Sequence, residues 1–75
     1  MALFTYLTAN NITWGFSDDI KYHRRTYSFR KGDYAFTYVI DLHTIEEVGD
    51  EQIMVELFKA VKHFNSAVDR RVLNA

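Results

Sequence analysis

The spacing of apolar residues changes character midway along the chain. In the second half, Ile53, Leu57, Ala60, Val61, Phe64, Ala67 and Val68 recur at steps of three and four, the signature of one helix face. Met54 and Phe58 widen the stripe to about half the circumference at about 100° per residue, and Phe64 sits at its centre. This predicts a helix over 50–72. Gly49 interrupts the pattern just ahead of it, and Asp50 suits an N-cap. Glu46, Glu47, Asp50 and Glu51 lie near the start and Lys62, Arg70 and Arg71 toward the end, the order a helix dipole favours. Thr44 and Glu47 have capping-box spacing, which predicts a short turn before the main helix.

In the first half the period is two, and four strands are expected over 3–8, 12–17, 21–30 and 34–42. Asn10-Asn11 serves as a two-residue turn between the first two, because Asn tolerates positive φ. Ile12, Trp14 and Phe16 share a face of the second strand, which Asp18-Asp19 ends. Gly32-Asp33 fits a type II′ hairpin, which wants Gly first. That turn sets a register: Lys31 opposite Tyr34, Phe29 opposite Phe36, Ser28 opposite Thr37, Tyr27 opposite Tyr38, Arg25 opposite Ile40. Aromatic pairs fall on one face, with Ser28/Thr37 and an Arg24/Asp41 ion pair on the other. A slip of one residue would break all of these together.

The expected architecture is α+β: an antiparallel meander of about four strands, packed on one face by a single long C-terminal helix, in one domain over 1–75. The uncovered face would carry Phe4, Tyr6, Tyr22, Arg24, Thr26, Ser28, Arg30, Ala35, Thr37 and Val39, a mixture typical of interfaces. The plainer alternative is scattered, half-exposed aromatics. His23 and Arg25 fall on the helix side. A buried unpaired Arg is costly, so both are expected at the sheet's end or on a bulge, with Trp14 beside Arg25 in cation–π contact.

Composition adds a question of stability. The chain has 75 residues, 48% hydrophobic and 16% aromatic, far from a disordered composition. A core this small is marginal alone. With no Cys, disulfides and thiolate zinc sites are excluded, and His23, His43 and His63 are scattered. Burial against a partner is the remaining route, so a homodimer or a complex is expected. No basic leader precedes an apolar run, and no stretch approaches membrane length. The expectation is a soluble, cytoplasmic protein.

Charge is sorted along the sequence although the net charge is only −1. Lys21, Arg24, Arg25, Arg30 and Lys31 cluster in KYHRRTYSFRKGDYAF, and Asp41, Glu46, Glu47, Asp50 and Glu51 follow. Interleaved aromatics and basic residues suit a nucleic-acid-binding hairpin over 21–36. Against this, Tyr27 and Phe29 look core-facing, and the pI of about 6.2 is low for a dedicated binder. Asp41-x-His43 with Glu46 and Glu47 offers metal-ligand chemistry without an established spacing; these acids are better explained as helix-start charges. Ser17, Ser28 and Ser66 lack nucleophile context, and three dispersed glycines make no phosphate loop. The helix's mixed polar face is unlike that of a membrane-surface helix. No enzyme activity, cofactor, metal or membrane partner is expected.

The leading expectation is therefore a small non-enzymatic regulatory protein, a homodimer that binds another protein and masks its surface. Inhibitors, antirepressors and adaptors of phages and mobile elements work in this way. Its contact residues are expected to be Tyr22, Arg24, Arg25, Arg30 and Lys31 with Phe4 and Tyr6, since Tyr and Arg anchor interfaces. Nucleic-acid binding by the same hairpin is the second reading.

Overall fold

A computed structural model describes residues 2–74, with side chains over 2–71. In chain order the elements are α1 (Ala2–Ala9), β1 (Thr13–Asp19), β2 (Arg24–Lys31), β3 (Tyr34–Asp41), α2 (Leu42–Val48) and α3 (Asp50–Asn74). The class is α+β. The three strands form one antiparallel sheet in the order β1-β2-β3, and α1 and α3 pack on the same side of it.

The expected first strand is instead α1. Its alternation of Leu3, Thr5 and Leu7 suited a strand, but Leu3 and Leu7 are also one helical turn apart, and both are buried. A short apolar run satisfies either period, and packing decides between them. Asn10-Asn11 closes this helix rather than a hairpin. Asn11 takes φ 57°, Ile12 N–H donates to Leu7 C=O at 2.9 Å, and Asn11 N–H to Thr8 C=O at 3.3 Å. These are the two bonds of a Schellman motif, with Ile12 and Leu7 both in the core. Positive φ was the right reading of Asn11 but not of Asn10, and the element the pair terminates is a helix.

The β2–β3 ladder has the expected register at every position from Lys31↔Tyr34 to Arg24↔Asp41. Gly32 has φ +59° while Asp33 is not in the positive-φ region, as a type II′ turn requires. A Cβ at Gly32 would meet nothing within 4 Å, so Gly32→Ala pays only backbone strain. The expected cost is about 1–2 kcal/mol, seen as a melting temperature lower by about 4–8 °C for each kcal/mol. Gly32→Asn, which tolerates this region, should recover part of it.

The β1–β2 connection departs from expectation. β2 begins at Arg24, not Lys21, because the chain turns through Ile20–His23. Asp19 Oδ1 accepts Tyr22 N–H at 3.1 Å, and His23 closes the loop at φ 52°. At the far end of β3, Asp41 caps α2 by accepting His43 N–H at 2.7 Å. This helix replaces the turn expected at Thr44. Gly49 ends α2 at φ 83°, ψ 159°, a region nearly restricted to Gly, and its C=O accepts Ile53 N–H. Gly49 therefore takes the capping place expected of Asp50, which is the first residue of α3.

The core lies between the sheet and the two helices. β2 supplies Tyr27 and Phe29; α1 and its exit supply Leu3, Leu7 and Ile12; α3 supplies Ile53, Leu57 and Val61. The deepest line on α3 runs through Leu57 and Val61. Phe64 is off-centre, partly exposed and stacked on Phe36 with ring centroids 5.6 Å apart.

Candidate interaction surface

The residues expected to form one contact face separate into three groups. The first lies on the uncovered side of the sheet and its turn. The register there sets Asp19, Arg24 and Asp41 in one row and Thr13, Arg30 and Ala35 in another. Arg24 packs 5.0 Å from the Tyr22 ring centroid, and Lys21 Nζ lies 5.5 Å from it. The expected Arg24–Asp41 ion pair is not among the close ion pairs of the described residues; the Asp41 carboxylate caps α2 instead. Tyr22 is in the turn, not on a strand face. Gly15, Ser28 and Ala35 leave a shallow hollow of about 330 Å³ beside Arg30.

The second group is an internal knot. Lys31 Nζ donates to Asn65 Oδ1 and, at 3.2 Å, to Asp69. Asn65 Nδ2 donates to Tyr6 Oη at 2.9 Å and to Asn10 Oδ1 at 3.2 Å. Lys31 and Tyr6 thus hold α1 and the tip of β2 to α3. Tyr6 and Phe4, expected on the uncovered sheet face, belong to α1 on the opposite side. No apolar stripe marks Asn65, although it continues the row Ile53, Leu57, Val61 at steps of four.

The third group surrounds Arg25, at the sheet's end on the helix side as expected. Its guanidinium donates to both oxygens of Asp18, at 2.6 and 3.1 Å, and lies 4.7 Å from the Phe16 ring centroid and 5.9 Å from that of Tyr27. The cation–π neighbour is therefore Phe16 rather than Trp14. Asp18 pairs with Arg25 across the strands, which gives the charge its partner. The hydrogen bonds from Arg25 hold the Asp18 carboxyl below its ordinary range, against a smaller opposing effect of desolvation. Those bonds to Asp18, and secondarily to Tyr27, raise Arg25 further. Because the Asp18 value is lowered on folding, its contribution is present at neutral pH and is lost as pH falls through that lowered value.

Arg25 also closes one end of a groove of about 650 Å³. Leu3 and Phe4 of α1 form one wall, and Met54, Val55 and Phe58 of α3 the other, with Asp50 and Glu51 at the rim. Val55 is 49% exposed. The sequence signal for it is an apolar residue outside the buried stripe, where solvent would favour a polar one. Next to this groove Phe4 packs on Trp14 at 5.1 Å, and Trp14 stacks on Phe16 at 6.5 Å. Of the expected contact residues, the groove brings together only Phe4 and Arg25.

His23 and His43 meet with ring centroids 4.0 Å apart, and His23 C=O accepts Leu42 N–H at 2.9 Å. This contact fastens the β1–β2 turn to the start of α2. His43 Nδ1 is 3.9 Å from Glu46 across one helical turn. Among the described residues no three His, Cys, Asp or Glu side chains are grouped to hold a metal, and no helix is long and apolar enough to cross a membrane. No protein-family model matches the chain, and neither does any curated protein or solved structure.

Proposed function

We propose that the chain is a small non-enzymatic regulatory protein that binds another protein and masks part of its surface. The contact is the groove between α1 and α3. The observation that carries this reading is an apolar trough ended by Arg25 and rimmed by Asp50 and Glu51. Its walls are large apolar side chains, the rings of Phe4 and Phe58 with the deformable Met54, such as receive an apolar peptide or helix face. The acidic rim favours a basic residue beside that segment.

Nucleic-acid binding by the 21–36 hairpin has weaker support. Arg25 and Lys31 are paired to Asp18 and Asp69. On the uncovered face Arg24 lies between Asp19 and Asp41, and Arg30 stands apart between Thr13 and Ala35, so the face carries no cluster of free cations to displace counterions.

Capture from a native lysate, with and without nuclease, tests both readings. The wild type is expected to keep a protein partner after nuclease. Val55→Asp puts a carboxylate in the apolar wall and should reduce capture by about tenfold or more, with an unchanged circular dichroism spectrum. The double variant Arg24→Glu with Arg30→Glu should retain the partner. The reverse outcome, with nuclease and the double variant each stripping what is bound while Val55→Asp does not, would replace the groove by the hairpin.

A further inference from the structure

The two-residue loop at Gly32-Asp33 makes Lys31 and Tyr34 a hydrogen-bonded pair. Bonding directions alternate along a strand. Arg25, Tyr27 and Phe29 therefore direct their N–H and C=O groups toward β3, and Arg24, Thr26, Ser28 and Arg30 toward β1. The partners of this second set are Asp19, Ser17, Gly15 and Thr13. Trp14, Phe16 and Asp18 are left with backbone groups pointing outward, along an edge that no other described strand covers.

Of the usual protections that edge has only Asp18 and Asp19, at its far end. Monomeric sheets blunt their edges with Lys, Pro, bulges or a covering element. β1 reads Thr-Trp-Gly-Phe-Ser-Asp-Asp, pairs one-to-one with β2, and is exposed at every position. Trp14 and Phe16 flank it on the helix side and are 43% and 55% exposed. The opposite edge differs: Tyr34, Phe36, Tyr38 and Ile40 beside β3 are already partly buried, so pairing there would cover less apolar surface.

We propose that β1 pairs antiparallel with β1 of a second copy, joining two sheets of three strands into one of six. In one pleated sheet, a residue can lie opposite only a residue that projects to the same side. A twofold axis at Gly15 meets this condition and puts Trp14 opposite Phe16 of the second copy, twice. Each such pair exchanges both outward N–H···O bonds. Asp18 and Asp19 then lie opposite Ile12 and Asn11 of the second copy, so no acid faces an acid. Two aromatics placed symmetrically about a glycine make the strand complementary to itself, which favours a second copy over an unrelated strand. The contact is isologous and closes at two chains. This pairing supplies the self-association expected of so small a core; it uses a different surface from the groove and stands apart from the masking role.

Trp14 is the only Trp in the chain, so its fluorescence reports this contact directly. Sedimentation at micromolar concentration is expected to give the mass of two chains, and dilution to red-shift the Trp14 emission as the mass falls to one. Phe16→Lys should be monomeric at the concentration where the wild type is dimeric. Phe16→Pro, which takes away an outward N–H together with the ring, should behave likewise, with β1–β2 intact by circular dichroism. Val39→Lys, at the other edge, should remain dimeric. A single-chain mass with emission independent of concentration would overturn the proposal, as would a dimer that survives Phe16→Lys or dissociates with Val39→Lys. The wild-type dilution series decides the matter even if a variant fails to fold. Val55→Asp, in the groove and away from β1, should leave the two-chain mass and its dilution series unchanged, so either reading can fail while the other holds.

Discussion

Leu57→Ala is expected to lower the melting temperature by on the order of 10–20 °C or more. Leu57 is 1% exposed and packs in the cluster of Tyr27, Phe29, Ile53 and Val61. Truncating a buried Leu costs about 2–5 kcal/mol, because transfer energy and a residual cavity both count. A domain of this length has roughly 4–11 kcal/mol of stability at about 0.05–0.15 kcal/mol per residue. Each kcal/mol corresponds to about 4–8 °C. Nothing stiffens the chain against the loss, since there is no disulfide. Val55→Ala, two residues away on the exposed wall of the groove, should move the transition by only a few degrees at about 0.5 kcal/mol or less. Equal effects of the two would mean that α3 docks through another face. Phe64→Ala should fall between them, because that ring is only partly buried.

Asn65→Ala is the second large effect, about 2–3 kcal/mol from the loss of partners around a buried amide. Asn65 is 5% exposed. It accepts from Lys31 and donates to Tyr6 and Asn10, so one truncation removes a partner from three residues on two other segments. A double-mutant cycle with Tyr6→Phe should show coupling of about 0.5 kcal/mol or more. Strict additivity of the two single variants in urea unfolding would show that the contact carries no energy.

The parts of this fold legible in the sequence are those where a local rule has a single solution. Gly32-Asp33 permits one tight hairpin, and that hairpin sets the β2–β3 register. The stripe from Ile53 to Val68 is too long for a strand. Residues 2–9 satisfy two periods at once, and the choice between them depends on α3, far away in sequence. The proposed contact surface was harder to see for the same reason. Lys31 and Tyr6 have the chemistry of interface anchors, yet both are turned inward by Asn65, a polar residue at the next step of the row Ile53, Leu57 and Val61. Phe4 and Arg25 do come together, but beside Met54, Val55 and Phe58 rather than beside Tyr22.

The place of α3 after the sheet in chain order also has a consequence for synthesis. Both hairpin connections are local, so the sheet can form soon after Asp41 leaves the ribosome. Its cover cannot, because Lys31 must wait for Asn65 and Asp69, and Tyr6 waits for Asn65. At about 5–20 residues added per second, the side of Tyr27, Phe29 and Phe36 that α3 covers waits a few seconds for it in a nascent chain. During that interval the aromatic face is open to chaperones and to neighbouring nascent chains, and arrival of the last helical turns is what ends it.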